Sequence, residues 1–460
     1  MSELDRIIAV ARQRGIPVRE VIGSGPVWRL GLGAAGRHFA EAATDRDGYT
    51  GLMLAHNKVW ANMLIRRLGF PTTVQRLAAD ADAVVQQARA LGFPVVVKPF
   101  AAGMGRGVCA DIRDESGLAA AWNAARPYAP HGVLVERHVA GRDHRLTAFG
   151  GRLAWAVVRH PAHVIGDGAR TVGELIAAEN ARRTAVGRPA ELKPIQVDAE
   201  IEQQLRQAGL ALDSRPPAGA EIRLRSVANV ARGGTIEDCT ARVHPDVRSM
   251  AEAIARTVRM DSLGIDFITP DIARSWREVP CAVIEINQTP SLFTAAHVEA
   301  LVECHFPAGS DGRIPTVLLV EANPALVDMV AGWFAAAGCS TGCTTPRTTL
   351  LAGAPRCRPG IPLTDRIEAL VADPACQALV VAMPLAEIER DGLPIDRFDL
   401  CLRPATLSAA GGLRVTAACR EVVEAAADGG LDVARVQAAL RHVLQRYTPS
   451  SSDPRVRSMA

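Results

Sequence analysis

Glu285 and Asn287 stand two residues apart in Val283-Ile-Glu-Ile-Asn-Gln-Thr-Pro290, a run with the apolar pattern of a buried strand. Alternate residues of a strand share a face, so a carboxylate and an amide oxygen project together, a pair suited to a hard cation such as Mg²⁺. A second apolar run, Leu263-Gly-Ile-Asp-Phe-Ile268, carries one acid, Asp266, as a third ligand. The two runs are placed to pair as a hairpin, with Asp271 to Pro280 as its polar tip. Singly, an acid in an apolar strand is also an N-cap or half of a buried salt bridge.

Upstream residues supply the groups a nucleotide needs. Val95-Val-Val-Lys98 reads as a β-branched strand ending in a lysine, and Gly103, Gly105 and Gly107 follow within nine residues. Glycines let backbone N–H groups close over phosphates, and a lysine beneath them adds compact positive charge. Alone, such a loop is also an ordinary glycine-rich hairpin. Gly132-Val-Leu-Val-Glu136 is a further strand ending in an acid. The hinge after it, with Glu136 and Val139, is placed to meet an adenine edge, and Asp143 to meet ribose hydroxyls.

The elements positioning these groups are read from apolar spacing and turn residues. Residues 1–70 read as an N-terminal segment ending in a helix from Ala55 to Gly69 that bears Lys58. Residues 71–136 read as a small α/β lobe and 137–308 as a larger lobe interrupted by an insertion over about 166–220. Residues 313–447 form a further α/β unit, and 448–460, rich in Ser, Pro and Arg, a disordered tail. At 460 residues the chain exceeds the ~250–300 residues of a single core, so several domains are expected.

Taken in order, these motifs resemble the ATP-grasp ligases, and among them the cyanophycin synthetase group. The likeness rests on Val97-Lys-Pro99 with Gly103-Met-Gly-Arg-Gly107, Glu136-Arg137 with Gly141-Arg-Asp-His-Arg145, and Arg159-His-Pro-Ala-His-Val-Ile-Gly-Asp-Gly168. It continues through Leu224-Arg-Ser-Val-Ala-Asn229, Gly233-Gly234, Gly264-Ile-Asp266 and Glu285-Ile-Asn287, over roughly residues 20 to 305. The implied fold is an α+β module whose two lobes clamp ATP, followed by a degenerate Mur-ligase-like Rossmann-type α/β domain.

The resemblance implies that ATP, held with two Mg²⁺ ions, phosphorylates a carboxylate to an acyl phosphate that an amine then captures as an amide. Asp266, Glu285 and Asn287 would hold the metals. Lys58 and Lys98 would offset phosphate charge, and Gly103, Gly105 and Gly107 would close on the γ-phosphate. Arg225, on a strand facing the site, would steady the acyl phosphate, with Asn229 beside it. Arg145 would contact a carboxylate or phosphate. His163 would touch substrate or assist the amine. Gly233-Gly234 would allow a mobile loop. From the residues alone, Lys58 is also a solvated helix lysine, Arg225 a strand arginine paired with an acid, and His163 a core histidine.

In that group the domain after the ATP-grasp module opens with a phosphate loop ending in Gly-Lys-Thr. Here Pro324, Ala325 and Leu326 stand in its place, with Glu321 adding a like charge. No phosphate cradle is expected there, and the unit reads as retained for packing or homo-oligomer contacts. The expected activity is amide synthesis on an amino acid or short peptide. The alternatives are a polymerase adding β-aspartyl-arginine dipeptides and a catalytically inactive scaffold.

Composition sets limits. Net charge is +3 on 52 basic and 49 acidic residues, which argues for no nucleic-acid or membrane-surface partner. Ten scattered cysteines read as reduced packing thiols. A charged amino terminus and the absence of an ~18-residue apolar run lead to the expectation of a cytoplasmic protein.

Overall fold

The computed structural model describes residues 2–21, 23, 25–100, 105–129, 132–185, 192–358, 360–405, 415–425 and 432–447. The chain divides into two units, Met1–Arg6 with Glu41–His305, and Ile7–Ala40 with Phe306–Ala460. Ile7–Ala40, expected within the N-terminal ligase segment, therefore packs in the second unit.

The first unit contains an antiparallel sheet whose strands run Gln75–Ala78, Val133–Arg137, Val95–Pro99 and Cys109–Ile112 in spatial order. Val95, Val97, Val133 and Val135 bury one face in a core that also takes Val84 and Ala88 of helix Ala81–Leu91 and Leu118 and Ala121 of helix Leu118–Ala125. By strand alternation, Gln75, Leu134, Glu136 and Lys98 occupy the other face. Asp80 starts the first of these helices by accepting from the Ala83 N–H. A single helix was expected over Ala55 to Gly69. Instead Asn57 ends helix Tyr49–His56 and caps helix Lys58–Arg67, accepting from the N–H groups of Val59 and Trp60. The interruption puts Lys58 on the first turn.

A five-stranded antiparallel sheet runs Thr235–Asp238, Arg152–His160, Arg142–Phe149, Ser262–Thr269 and Ala282–Gln288. Leu146, Ala148, Ala156, Val158, Ile265, Phe267 and Ile286 bury one face with Val247, Met250, Ala251, Ile254 and Val258 of helix Pro245–Val258. Those helix positions recur at the spacing of one amphipathic face. Full burial of each large side chain contributes about 1.5–3 kcal/mol. The opposite face carries the polar residues.

Within this unit, helices Val172–Thr184 and Ala199–Gln207 and the strand pair His163–Ile165 with Glu221–Arg223 share a small core of Val164, Val172, Leu175, Ile201, Leu205 and Ile222. Thr171 and Glu174 form a reciprocal capping box at the first helix.

The second unit is built on a seven-stranded sheet. Its parallel strands lie in the order Thr341–Thr344, Ala378–Met383, Thr316–Val320, Phe398–Arg403, Cys419–Glu424. Helix Leu363–Ala372 covers one face, and helices Pro324–Ala336 and Val433–Gln445 the other, the doubly wound arrangement. Leu32 joins the first of these two cores, which is why Ile7–Ala40 groups with this unit. After Val320 only three residues precede helix Pro324–Ala336. Glu321 takes a positive φ of 52° and accepts from the Leu385 N–H at 2.7 Å, while Asn323 caps the helix by accepting from the Leu326 N–H. A carboxylate thus engages backbone N–H at this strand end.

Candidate active site

Strand register builds the site. Asp266 lies opposite both Glu285 and Arg145, Asn287 opposite Gly264, and Arg159 opposite Asp143. Directly opposed residues share a face, so Asp143, Arg145, Arg159, Asp266, Glu285 and Asn287 form one patch on the sheet surface away from the core. The expected hairpin exists, with a bulge that leaves Ile284 unpaired between Val283 and Glu285. Bulges re-aim side chains and free backbone groups. Here the Ile284 carbonyl lies 3.5 Å from Lys98 Nζ.

Each acid of this patch, and Glu136 on the smaller sheet, faces a cation. Lys58 Nζ is 2.9 Å from Glu285 Oε1, and Lys98 Nζ is 2.6 Å from Glu136 Oε1. Arg145 Nε lies 2.6 Å from Asp266 Oδ1 and Arg159 Nη2 lies 3.0 Å from Asp266 Oδ2. The same Arg159 Nη2 donates to both oxygens of Asp143, at 2.7 and 2.9 Å. Burial pushes the Asp266 carboxyl upward, but Arg145 and Arg159 outweigh it and the net shift is downward. For Asp143, burial wins over the attraction of Arg159 and the shift is upward. Gly264 makes room for the clamp, since a Cβ there would stand 2.6 Å from Arg145 Nη1.

Glu136, expected at an adenine edge, is buried and accepts from Gln75 Nε2 at 2.7 Å and Thr73 Oγ1 at 3.2 Å besides its contact with Lys98. Val139 is half-buried in the irregular segment after Glu136's strand. Gly103 lies outside the described residues. Gly105 and Gly107 both have φ of +68°, and a Cβ on Gly107 would press on the Ala124 carbonyl at 2.8 Å.

Arg225 is held by protein acceptors, two residues before Val227, whose side chain lies 3.2 Å from the Cβ position of Gly105. The strand expected to carry Arg225 ends at Arg223, and its buried guanidinium donates to Glu200 Oε2, Asp198 Oδ2, the Gln196 carbonyl and the Arg232 carbonyl. Arg232 bonds the same two carboxylates. Asn229 caps the short turn Val230–Arg232 by accepting from the Ala231 N–H. Gly233-Gly234, expected as a mobile loop, is tightly packed. Arg183 donates to the Gly233 carbonyl at 2.7 Å, and a Cβ on Gly234 would meet the His160 carbonyl at 2.7 Å. His163 has Nδ1 2.9 Å from the Pro161 carbonyl.

Sequence reasoning missed Arg159, Thr73, Gln75, Asp198 and Glu200. Arg159 alone left a signal, an arginine closing the apolar run Trp155 to Val158.

The donor set Asp266, Glu285 and Asn287 fits a hard divalent cation, because all three offer oxygen from one face of adjacent strands. Asn287 Nδ2 is buried without a hydrogen-bond partner, so the amide is not committed to a protein group on that side. Among the described residues, no three His, Cys, Asp or Glu side chains gather as a ready-made metal cage. The ten cysteines are free, and no described helix is long and apolar enough to cross a membrane.

Residues 57–145 match the family model described as the carbamoyl-phosphate synthase L chain, ATP binding domain. Over 334 residues the chain is 32% identical to the cyanophycin synthetase of Nostoc sp., covering 69% of this chain and 36% of that protein. It is 30% identical over 263 residues to the glutathione biosynthesis bifunctional protein of Mannheimia succiniciproducens, covering 54% of this chain and 34% of that protein. A bifunctional glutathione synthetase structure from Pasteurella multocida superposes with a TM-score of 0.50 at 23% identity, covering 66% of this chain and 43% of that one, a likeness of fold. These matches make this chain a member of the ATP-grasp family. Within that family it is cyanophycin-synthetase-like, and it spans about a third of the length of the curated relatives it matches.

Proposed function

We propose that this chain is an ATP-dependent carboxylate–amine ligase that forms an amide on an amino acid or short peptide through an acyl phosphate. The observation that supports it most is the juxtaposition of Asp266, Glu285 and Asn287 on one sheet face with Lys58, Lys98, Arg145 and Arg159 around them. That arrangement offers oxygen ligands for metal and donors for phosphate within one small area.

A free carboxylate is a poor electrophile because its leaving group is oxide. Transfer of the γ-phosphoryl group from ATP to the carboxylate oxygen gives an acyl phosphate and ADP. Attack by a neutral amine then forms the C–N bond, with inorganic phosphate leaving and the amine proton lost. Asp266, Glu285 and Asn287 would hold Mg²⁺, which would supply neutralisation of phosphate charge. Lys58 and Lys98 bind and orient the polyphosphate. Arg145 and Arg159 carry the remaining positive charge toward the oxyanion. An α-amine titrates near ~8, so part of it is neutral at physiological pH without a dedicated base. Arg225 belongs to the architecture of the region between His163 and Gly234 rather than to the acyl phosphate.

The test is an ATP-dependent screen of amino acids and short peptides, including aspartate, arginine and their β-linked dipeptide, read by mass with ADP release in parallel. A ligase product has the summed substrate mass less one water. Glu285→Gln should abolish it. Products that gain a phosphate and form no amide, or turnover that survives Glu285→Gln, would overturn the reading.

A further inference from the structure

Four acids on the site surface, Asp143, Asp266, Glu136 and Glu285, are matched by four cations, Arg145, Arg159, Lys58 and Lys98. Asp266 is the extreme case. It is buried, and a different arginine engages each of its oxygens. A divalent ion arriving alone would have to displace these arginines and leave Arg145 without its carboxylate partner, which is costly. A polyphosphate arriving alone would draw the cations away and strand the acids. A metal and a polyphosphate together let each buried charge exchange its partner and lose none. The acids take the metal and the basic side chains take the phosphates.

We propose, resting on the nucleotide reading above, that Arg159 and Arg145 form a displaceable clamp on Asp266 that makes metal and nucleotide binding mutually dependent, with Arg159 the coupling residue. Arg159 suits this because one of its nitrogens already bridges Asp143 and Asp266, so it can leave Asp266 while still held by Asp143. Arg145 lies directly over Gly264, where any side chain would collide with its guanidinium, so the clamp depends on that glycine. Linkage then requires each ligand to tighten the other by the same factor.

The experiment is Mn²⁺ binding to the full chain, followed by electron paramagnetic resonance, with and without a non-hydrolysable ATP analogue. The wild type should bind Mn²⁺ at least about tenfold more tightly with the analogue, the scale of a modest coupling energy. Arg159→Gln should tighten Mn²⁺ alone by about tenfold and shrink the coupling. Adding Asp266→Asn to that variant should remove the gain, which locates the metal at Asp266. Should Arg159→Gln fail to fold, Arg159→Lys, which keeps the charge but loses the planar fork, should shift Mn²⁺ affinity in the same direction. Wild-type protein binding Mn²⁺ equally well with and without the analogue would overturn the clamp, as would a folded Arg159 variant with unchanged affinity. If the analogue fails to bind the wild type at all, the nucleotide reading falls, and the clamp with it.

Discussion

Among individual residues, pairing decides what a buried charge can do. Lys98 and Glu136 are both almost fully buried, and Glu136 takes two further donors, so Lys98 meets a nucleotide only by exchanging its present partner for phosphate. The acids and lysines of the site were legible because each interrupts an apolar run. Their partners were not, because Thr73 and Gln75 lie more than sixty positions from Glu136 and carry no mark of their own. His297 shows how burial acts without a partner. It stacks on Trp155 with ring centroids 3.9 Å apart, its Nδ1 has no hydrogen bond, and burial pushes its pKa down to about 4. The unfolded chain titrates the same group near ~6.5. Below that pH the unfolded state takes up a proton that the folded state refuses, so stability should decline as pH falls from about 6.5 toward 4. Thermal melts at pH 7.5 and pH 5 should show a smaller drop for His297→Phe than for the wild type. An equal drop would show that His297 stays neutral for no energetic reason.

Among elements, alternation and capping were readable and long-range polar contacts were not. The strands around Asp266 and Glu285 followed from their β-branched pattern, and their antiparallel pairing follows from the polar tip between them. The strand before Arg225 was drawn too long because Leu224 extends the apolar alternation, and the partners of Arg225 left no sign because Asp198 and Glu200 are 27 and 25 positions away. Asp198 also caps helix Ala199–Gln207, so one side chain starts the helix and anchors it. Arg225→Ala should therefore cost about 1–3 kcal/mol by removing the hydrogen bonds of a buried guanidinium to charged and backbone acceptors. Arg225→Lys should restore little, since an ammonium cannot reach the four acceptors of a fork. Chemical denaturation, with hydrogen exchange over 193–200, measures both. Turnover lost at unchanged stability would return Arg225 to the reaction.

For the whole molecule, the two units have unequal chemistry. The separate grouping of Ile7–Ala40 with Phe306–Ala460 was illegible, because apolar residues such as Leu32 and Ile314 find each other across nearly three hundred positions without leaving a local pattern. After Val320 the chain reads Glu321 to Leu326, and the Glu321 carboxylate accepts from the Leu385 backbone N–H there. The central claim is that nucleotide binds once per chain, at the sheet face bearing Asp266, Glu285 and Asn287. Calorimetric titration of a non-hydrolysable ATP analogue with Mg²⁺ tests it most directly, using the wild type, Lys98→Ala and Ala325→Lys. One site per chain is expected in the wild type and in Ala325→Lys, and none in a folded Lys98→Ala variant. Two sites per chain, or undiminished binding in Lys98→Ala, would contradict it.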